Sequence, residues 1–228
     1  MDSPPLILHI DTATGSSQIG LLAGKQVLAS EECLEQREQA AWLQPAIVRL
    51  FENTGRTLAD IDAVSVAAGP GSYTGLRIGM ASAKGICFAL DKPLILLNTL
   101  EIMAAATIQT APAGALICAQ IDARRMEVFT AVYDQALQVL EPAHPLILSE
   151  QSYAQWLKDF VVVFTGSGAE KCKSLLKNDN AVFVFLPPTL PAAAGLALES
   201  FATQGFADLA TAEPWYGKAF YTATTANS

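Results

Sequence analysis

Histidine is nearly missing from this sequence. Only His9 and His144 occur in 228 residues, and neither has another metal-ligand type beside it. No His-Glu-x-x-His pair exists, so metal-dependent hydrolysis built on histidine ligands is disfavoured. There is also no Gly-x-Ser-x-Gly, and a serine triad would have to recruit one of these two histidines. The cysteines Cys33, Cys87, Cys118 and Cys172 are too scattered for Cys-x-x-Cys or zinc-ribbon spacing, and read as buried thiols in a reducing compartment. No apolar run approaches the roughly 20 residues that cross a bilayer. The first, Leu6-Ile-Leu-His-Ile10, stops at Asp11, and Met1-Asp-Ser-Pro-Pro5 carries no positive leader region, so a cytoplasmic protein with no membrane contact is expected. Cations are scarce too. Fourteen Lys and Arg face 22 Asp and Glu, a net charge of −8, which argues against this chain alone gripping a phosphate backbone.

Apolar residues are plentiful at 51%, enough for a full core, and the length allows one large domain or two small ones. Residues 6–10, 18–23 and 26–32 read as a strand meander, split by turn chemistry at 11–17 and Gly24-Lys25. A helix is expected over 38–51, closed by Asn53-Thr-Gly55, with Pro45 in its first turns. A strand over 60–68 runs into Gly69-Pro-Gly71 and a second helix, 75–90. A strand over 94–97 and a helix from Thr99 to about Thr107 follow. Beyond the turn-prone Thr110-Ala-Pro-Ala-Gly114 the pattern recurs. Leu116-Ile-Cys-Ala-Gln-Ile-Asp122 echoes Leu6-Ile-Leu-His-Ile-Asp11, with further strands expected over 127–133 and 136–140. Val161-Val-Val-Phe-Thr-Gly-Ser-Gly168 echoes Val64-Ser-Val-Ala-Ala-Gly-Pro-Gly71. Two echoes in the same order predict a duplicated unit of roughly 100–110 residues, hence two α/β lobes, 1–109 and 110–228. A strand over 181–186, an Ala-rich helix over 190–203 and a frayed tail over 219–228 complete the reading.

The strongest local feature is Gly69-Pro-Gly-Ser-Tyr-Thr-Gly-Leu-Arg-Ile-Gly79. A Gly-rich entry to a helix offers N–H groups and dipole potential to an anion. The alternative is a tight strand-to-helix turn capped by Ser72 or Thr74. Gly75, Gly79 and Ala83 share one helix face, and glycine inside a helix implies close approach of another backbone, either this chain's own sheet or a second subunit. Asp11 and Asp122 each end a first strand, where paired aspartates can hold a metal; for Asp122, followed by Ala123-Arg-Arg125, turn capping and ion pairing are favoured. His9 reads as a core residue and His144 as part of an exposed loop; the cations Arg124, Arg125, Lys171, Lys173 and Lys177 read either as a small patch in the second lobe or, the favoured reading, as a solvated surface.

Ile10-Asp-Thr-Ala-Thr14, the Gly69–Gly79 run, Ile121-Asp-Ala-Arg124 and Glu213-Pro-Trp-Tyr216 together resemble the TsaB (YeaZ) family of bacterial tRNA threonylcarbamoyladenosine biosynthesis proteins. The resemblance implies the α/β, two-lobed, duplicated ribonuclease-H-like fold of actin, sugar kinases and heat-shock ATPases. It also implies a non-catalytic scaffold. Such proteins dimerise with their paralogue TsaD and, with the ATPase TsaE, support transfer of threonylcarbamoyl from threonylcarbamoyl-adenylate to N6 of the adenosine beside the tRNA anticodon. Transfer RNA is then met only through the complex, and the chain alone forms a homodimer. No catalytic residue, metal or required cofactor is implied; ATP or ADP, where bound, sits at the junction with the partner. The degenerate phosphate-type loops would be Asp11, Thr12, Gly69, Gly71, Ser72, Thr74 and Gly75. The paired helices would present Trp42, Leu43, Ile47, Leu50, Gly75, Arg77, Gly79 and Ala83, which turns the small-residue stripe toward the intermolecular reading. TsaD-like proteins hold metal with a His-x-x-x-His pair on the first helix; residues 35–45 here contain no His, not even near Gln39, where many TsaB relatives keep one. The tail departs as well, with Tyr216-Gly-Lys218 where relatives continue Tyr-Leu-Arg. The competing reading is an independent ATP-dependent phosphotransferase-like enzyme, which needs a phosphate turn in each lobe and an acidic metal ligand. A third is an adaptor role through the same helix surface.

Overall fold

The structure, a computed structural model, describes residues 3–217. The expected tail over 219–228 lies outside them. Strands β1 (Leu6–Asp11), β2 (Ser17–Ala23) and β3 (Gln26–Cys33) form the antiparallel meander, and β4 (Ala63–Ala67) and β5 (Leu94–Leu97) extend it in parallel beyond β1, in the order β3-β2-β1-β4-β5. The second sheet repeats this plan with β6 (Leu116–Asp122), β7 (Glu127–Tyr133), β8 (Val139–Ile147), β9 (Val162–Thr165) and β10 (Ala181–Phe183), ordered β10-β9-β6-β7-β8. Helices fall at matching places: α1 (Gln39–Thr54), α2 (Tyr73–Leu90) and α3 (Thr99–Ile108), then α4 (Ala154–Leu157), α5 (Ala169–Leu175) and α6 (Leu190–Ala202). The two-lobed duplicated α/β fold expected from the sequence is what the chain adopts.

Every residue of β1 is buried, because both faces of its sheet are covered. Leu8 and Ile10 pack with α1 and α2, through Leu43, Ile47 and Leu50 and through Met80, Ala83 and Cys87. Ile7 points the other way and packs, with Leu22, Ile95 and Leu97, under Ala193, Ala194 and Ala197 of α6. The last helix among the described residues thus returns from the second sheet to cover the first. Its counterpart α3 covers the second sheet, Leu100, Met103 and Ala104 packing on Ile117, Ala119 and Ala131. The two helices also touch each other, so the lobes share a seam built from both halves of the sequence.

Several local expectations shift for identifiable reasons. Pro45 sits well inside α1 rather than in its first turns. Ala41 and Pro45 are both exposed, so the interrupted i→i−4 hydrogen bond faces water. The helix ends as expected, at Gly55 with φ 63°. β4 begins later than residue 60 because Asp60 accepts from the Thr57 N–H at 2.7 Å and holds Leu58–Asp60 in a 3-10 turn. The strand expected over 136–140 is displaced to β8: Asp134 Oδ1 accepts from Ala136 N at 2.8 Å and Gln138 N at 2.9 Å, making residues 134–138 the hairpin turn. His144 therefore lies in β8, opposite Thr130, and not in a loop. β10 stops at Phe183, ahead of Pro187-Pro188.

Two glycines of α2 make the packing argument testable. A Cβ at Gly75 would run into the Thr12 carbonyl, whereas one at Gly85 meets nothing within 4 Å. Gly75→Ala is expected to cost about 1–3 kcal/mol through backbone displacement. Gly85→Ala should gain about 0.5–1 kcal/mol from helix propensity. Urea unfolding of both variants checks the opposite signs.

Candidate functional site

The ends of β1 and β4 meet at the start of α2. Thr12 Oγ1 donates to the Gly75 carbonyl at 2.6 Å, and the Ser72 N–H donates to the Ala13 carbonyl at 2.7 Å. A Cβ on Gly71 would strike that same Ala13 carbonyl. Ser72 is the N-cap of α2: its Oγ accepts from Gly75 N at 3.3 Å and from Gln36 Nε2 at 3.1 Å. Gly69 takes φ 113°, and a Cβ there would strike the carbonyl of Trp215, whose N–H donates to Ala68 O at 2.7 Å. The chain itself therefore occupies the N–H groups of Ser72 and Gly75. Ser72 caps the helix start, as the capped-turn reading expects. The second lobe repeats the device. Gly168 N donates to Gln120 O at 3.2 Å, and a Cβ on Gly166 would strike that carbonyl.

Asp11, the strand-end carboxyl of the first lobe, is buried and does not line the cleft between the lobes. Burial pushes its pKa up to about 6, against the pull of hydrogen bonds from the Ala13 N–H, at 2.9 Å, and the Gln18 side chain. His9, two residues earlier on the same face of β1, bonds through Nδ1 to Ser65 Oγ at 2.9 Å, while Nε2 is buried without a partner among the described residues. Burial pushes the His9 pKa down to about 4, so the ring is neutral. Asp122 behaves as its sequence context suggested. Its Oδ1 caps the turn, accepting from Arg124 N at 2.6 Å, and pairs with Lys171 Nζ at 2.7 Å. Among the described residues, no group of three or more His, Cys, Asp or Glu side chains is arranged to hold a metal.

Between the lobes lies a cleft of about 960 Å³. Gly71, Ser72 and Thr74 line it, but Asp11, Thr12, Gly69 and Gly75 do not. The sequence marks Arg124 only as a second-lobe cation and as the end of Ile121-Asp-Ala-Arg124; it misses Arg37 and the apolar wall of Met103, Phe129, Phe185 and Leu186, because they come from segments far apart in sequence.

The family model for TsaD, tRNA N6-adenosine threonylcarbamoyltransferase, matches residues 32–187. A Bacillus subtilis (strain 168) protein described as tRNA threonylcarbamoyladenosine biosynthesis protein TsaB is 32% identical over 179 residues, 75% of each chain. The Escherichia coli (strain K12) protein of the same description is 31% identical over 223 residues, 92% of this chain and 93% of that one. The chain belongs to the TsaB family. A crystal structure of a Pseudomonas aeruginosa protein, described as similar to peptidase YeaZ, superposes with a TM-score of 0.82 at 25% identity, covering 94% of this chain and 100% of that one.

Against the TsaB pattern, position 39 is informative. Gln39 is buried, its Nε2 donates to Thr14 O at 3.5 Å, and its Oε1 lies 3.2 Å from where a Gly75 Cβ would stand. It packs where the two turns of the first lobe meet. The residues expected to face a TsaB partner are corrected by their burial. Leu43, Ile47, Leu50 and Ala83 are inside the chain's own core, and Trp42 is partly buried against it. Gly75 and Gly79 make room for Thr12. The stripe of small residues is thus a contact with β1 and its loop. Of the expected set, Arg77 is exposed, 2.6 Å from the Tyr73 hydroxyl.

The opposed shifts of His9 and Asp11 have a measurable result. Unfolded His9 protonates near 6.5 and the folded one near 4. The fold therefore loses about 3 kcal/mol from this group as pH falls through that window. Asp11 ionises near 3.8 unfolded and near 6 folded, so its contribution is lost as pH rises through nearly the same window. In the native chain the two slopes oppose one another. Asp11→Asn is expected to unmask His9, with stability falling by about 1.4 kcal/mol per pH unit below pH 6. His9→Gln should slope the opposite way. Urea midpoints between pH 4 and pH 7 check both; parallel slopes in the two variants would contradict the assignment.

Proposed function

We propose that this chain is a non-catalytic subunit in tRNA threonylcarbamoyladenosine biosynthesis. It pairs with the TsaD paralogue and, with the ATPase TsaE, supports threonylcarbamoyl transfer to N6 of the adenosine beside the anticodon. The observation that carries this reading is the contrast between a closed first-lobe loop and an open helix face. Asp11 is withdrawn from the cleft, and the α2 N-terminus is capped from within. Meanwhile the outer side of α1 and α2 leaves Val48 55% and Phe88 82% exposed. Between the helices lies a hollow of about 300 Å³, lined by Leu58, Ala81, Gly85, Ile86 and Ala89 among others. Ala81, Gly85 and Ala89 recur every four residues, so a partner helix can approach closely there, with Phe88 as an apolar anchor. The same face serves self-pairing when TsaD is absent. A nucleotide bound at the TsaD junction and tRNA contact only through the complex belong to this proposal, and the net charge of −8 supports the latter. The rival phosphotransferase reading needs a free carboxylate in the cleft. Asp122 is the carboxylate among the described lining residues, and Lys171 and the Arg124 N–H already engage it.

The test is the solution mass of the chain mixed with TsaD from the same organism. A one-to-one complex is expected, weakened at least tenfold by Phe88→Glu with the melting temperature of this chain unchanged; a buried anchor of this kind is typically worth about 2 kcal/mol or more. Gly79→Leu is unsuitable, because it would drive a side chain into Thr12. Absence of any complex between the two folded proteins would sink the reading.

A further inference from the structure

Glu213-Pro-Trp-Tyr216 lies on a strap, residues 206–217, that follows α6 and contains no helix. The strap is nonetheless fixed at several points. Ala207 N donates to Leu94 O at 2.8 Å, on the edge strand β5. Asp208 Oδ1 closes the next turn, accepting from Ala210 N at 2.7 Å and Thr211 N at 3.1 Å. Lys84 Nζ, from α2, donates to Ala212 O at 2.9 Å. Trp215 N donates to Ala68 O at 2.7 Å, and Gly69 has no room for a Cβ because the Trp215 carbonyl stands there. Apart from the Asp208 turn, each of these contacts is made with the first lobe.

The end of the strap reaches the second lobe. The Trp215 ring meets Phe129 of β7 edge-on, with centroids 6.1 Å apart. Gly217 holds φ 77°, and a Cβ there would strike the same Phe129 ring. Beside Trp215, the Tyr216 ring packs on Tyr73 at the start of α2, with centroids 4.9 Å apart. The Arg77 guanidinium lies 5.4 Å from the centroid of that Tyr73 ring. Tyr73, Tyr216, Trp215 and Phe129 therefore form a row of rings that crosses from α2 to β7, joined in the middle by one peptide bond. Both end members line the interlobe cleft, one from each lobe. Lobes joined by a modest seam move relative to one another by default, unless further contacts hold them. Ring pairs have preferred orientations, so such a row favours one angle between the elements it joins. Trp215 is itself 38% exposed, so it is a tie on the surface and not a core residue of either lobe.

We propose that Trp215 and Tyr216 are an aromatic latch that holds the two lobes at one opening, and that Lys84, through Ala212, anchors the latch to α2. The latch works within one chain and does not rest on pairing with TsaD. The test is the distance between the lobes in the full chain alone, read by double electron–electron resonance between spin labels. The four native cysteines are buried, so the labels go on Asn53→Cys at the end of α1 and Ala154→Cys in α4, both exposed positions. A second pair, Lys25→Cys with Asn53→Cys, lies within the first lobe. Between positions 53 and 154 a narrow distribution is expected. Trp215→Ala and Gly217→Val should each at least double its width, Lys84→Met should widen it by releasing Ala212, and Trp215→Phe should keep it narrow. Between positions 25 and 53 the width should stay native in every variant. A broad native distribution between the lobes, or native width in both Trp215→Ala and Gly217→Val, would overturn the latch. Equal broadening of the pair inside the first lobe would also overturn it, because the strap would then be supporting that lobe alone. Native width in Lys84→Met would overturn the anchoring on α2.

Discussion

The contact on which the rest depends is backbone against backbone: the start of α2 pressed onto the loop that leaves β1. Gly71 and Gly75 have no Cβ because the carbonyls of Ala13 and Thr12 stand in that space, and Ser72 completes the contact by donating to Ala13. This one approach sets where α2 lies on the sheet, and so which of its faces is core and which is surface. It also occupies two of the donors at the helix start, the Ser72 N–H and, through the Ser72 hydroxyl, the Gly75 N–H. The second lobe makes the same approach, with Gly166 and Gly168 on Gln120. The duplication is therefore one of mechanism as well as of strand order.

Charge is distributed in keeping with that closure. In the first lobe an acid and an imidazole are sealed on one face of β1, each held toward its neutral form by burial. The cations at the cleft come instead from surface turns, Arg37 and Arg124. Of the two strand-end acids, Asp11 is kept inside and Asp122 is tied to Lys171. Outside, the chain carries an exposed apolar helix face around Phe88 and a cleft lined by Arg37 and Arg124.

Much of the architecture was legible because its signals are local. β5, β6 and β7 are short apolar runs bounded by turn residues, and they lie where the periodicity placed them. The paired Ile-Asp strand ends and Gly-x-Gly turns announced the repeat. Surface assignment was less legible. A spacing of four says that Gly75, Gly79 and Ala83 share a face, but not what that face meets; it meets β1 and its loop. A second stripe with the same spacing, Ala81, Gly85 and Ala89, looks outward, and only the packing of α2 tells the two apart. The hairpin before β8 was misplaced because an Asp134 turn has apolar residues in it, Ala136 and Leu137 among them. The lining of the cleft was less legible for a different reason: Arg37 and Arg124 face one cavity only after both lobes have formed.

The return of α6 gives the first sheet a cover made from a segment that follows the second sheet in sequence. Ile7, Leu22, Ile95 and Leu97 have their cover in Ala193, Ala194 and Ala197, and Trp215 closes against both Ala68 and Phe129. During synthesis, then, one apolar side of the first sheet waits for a helix that follows it by about a hundred residues, and a cut between the two repeats would leave Ile7, Leu22, Ile95 and Leu97 without this cover.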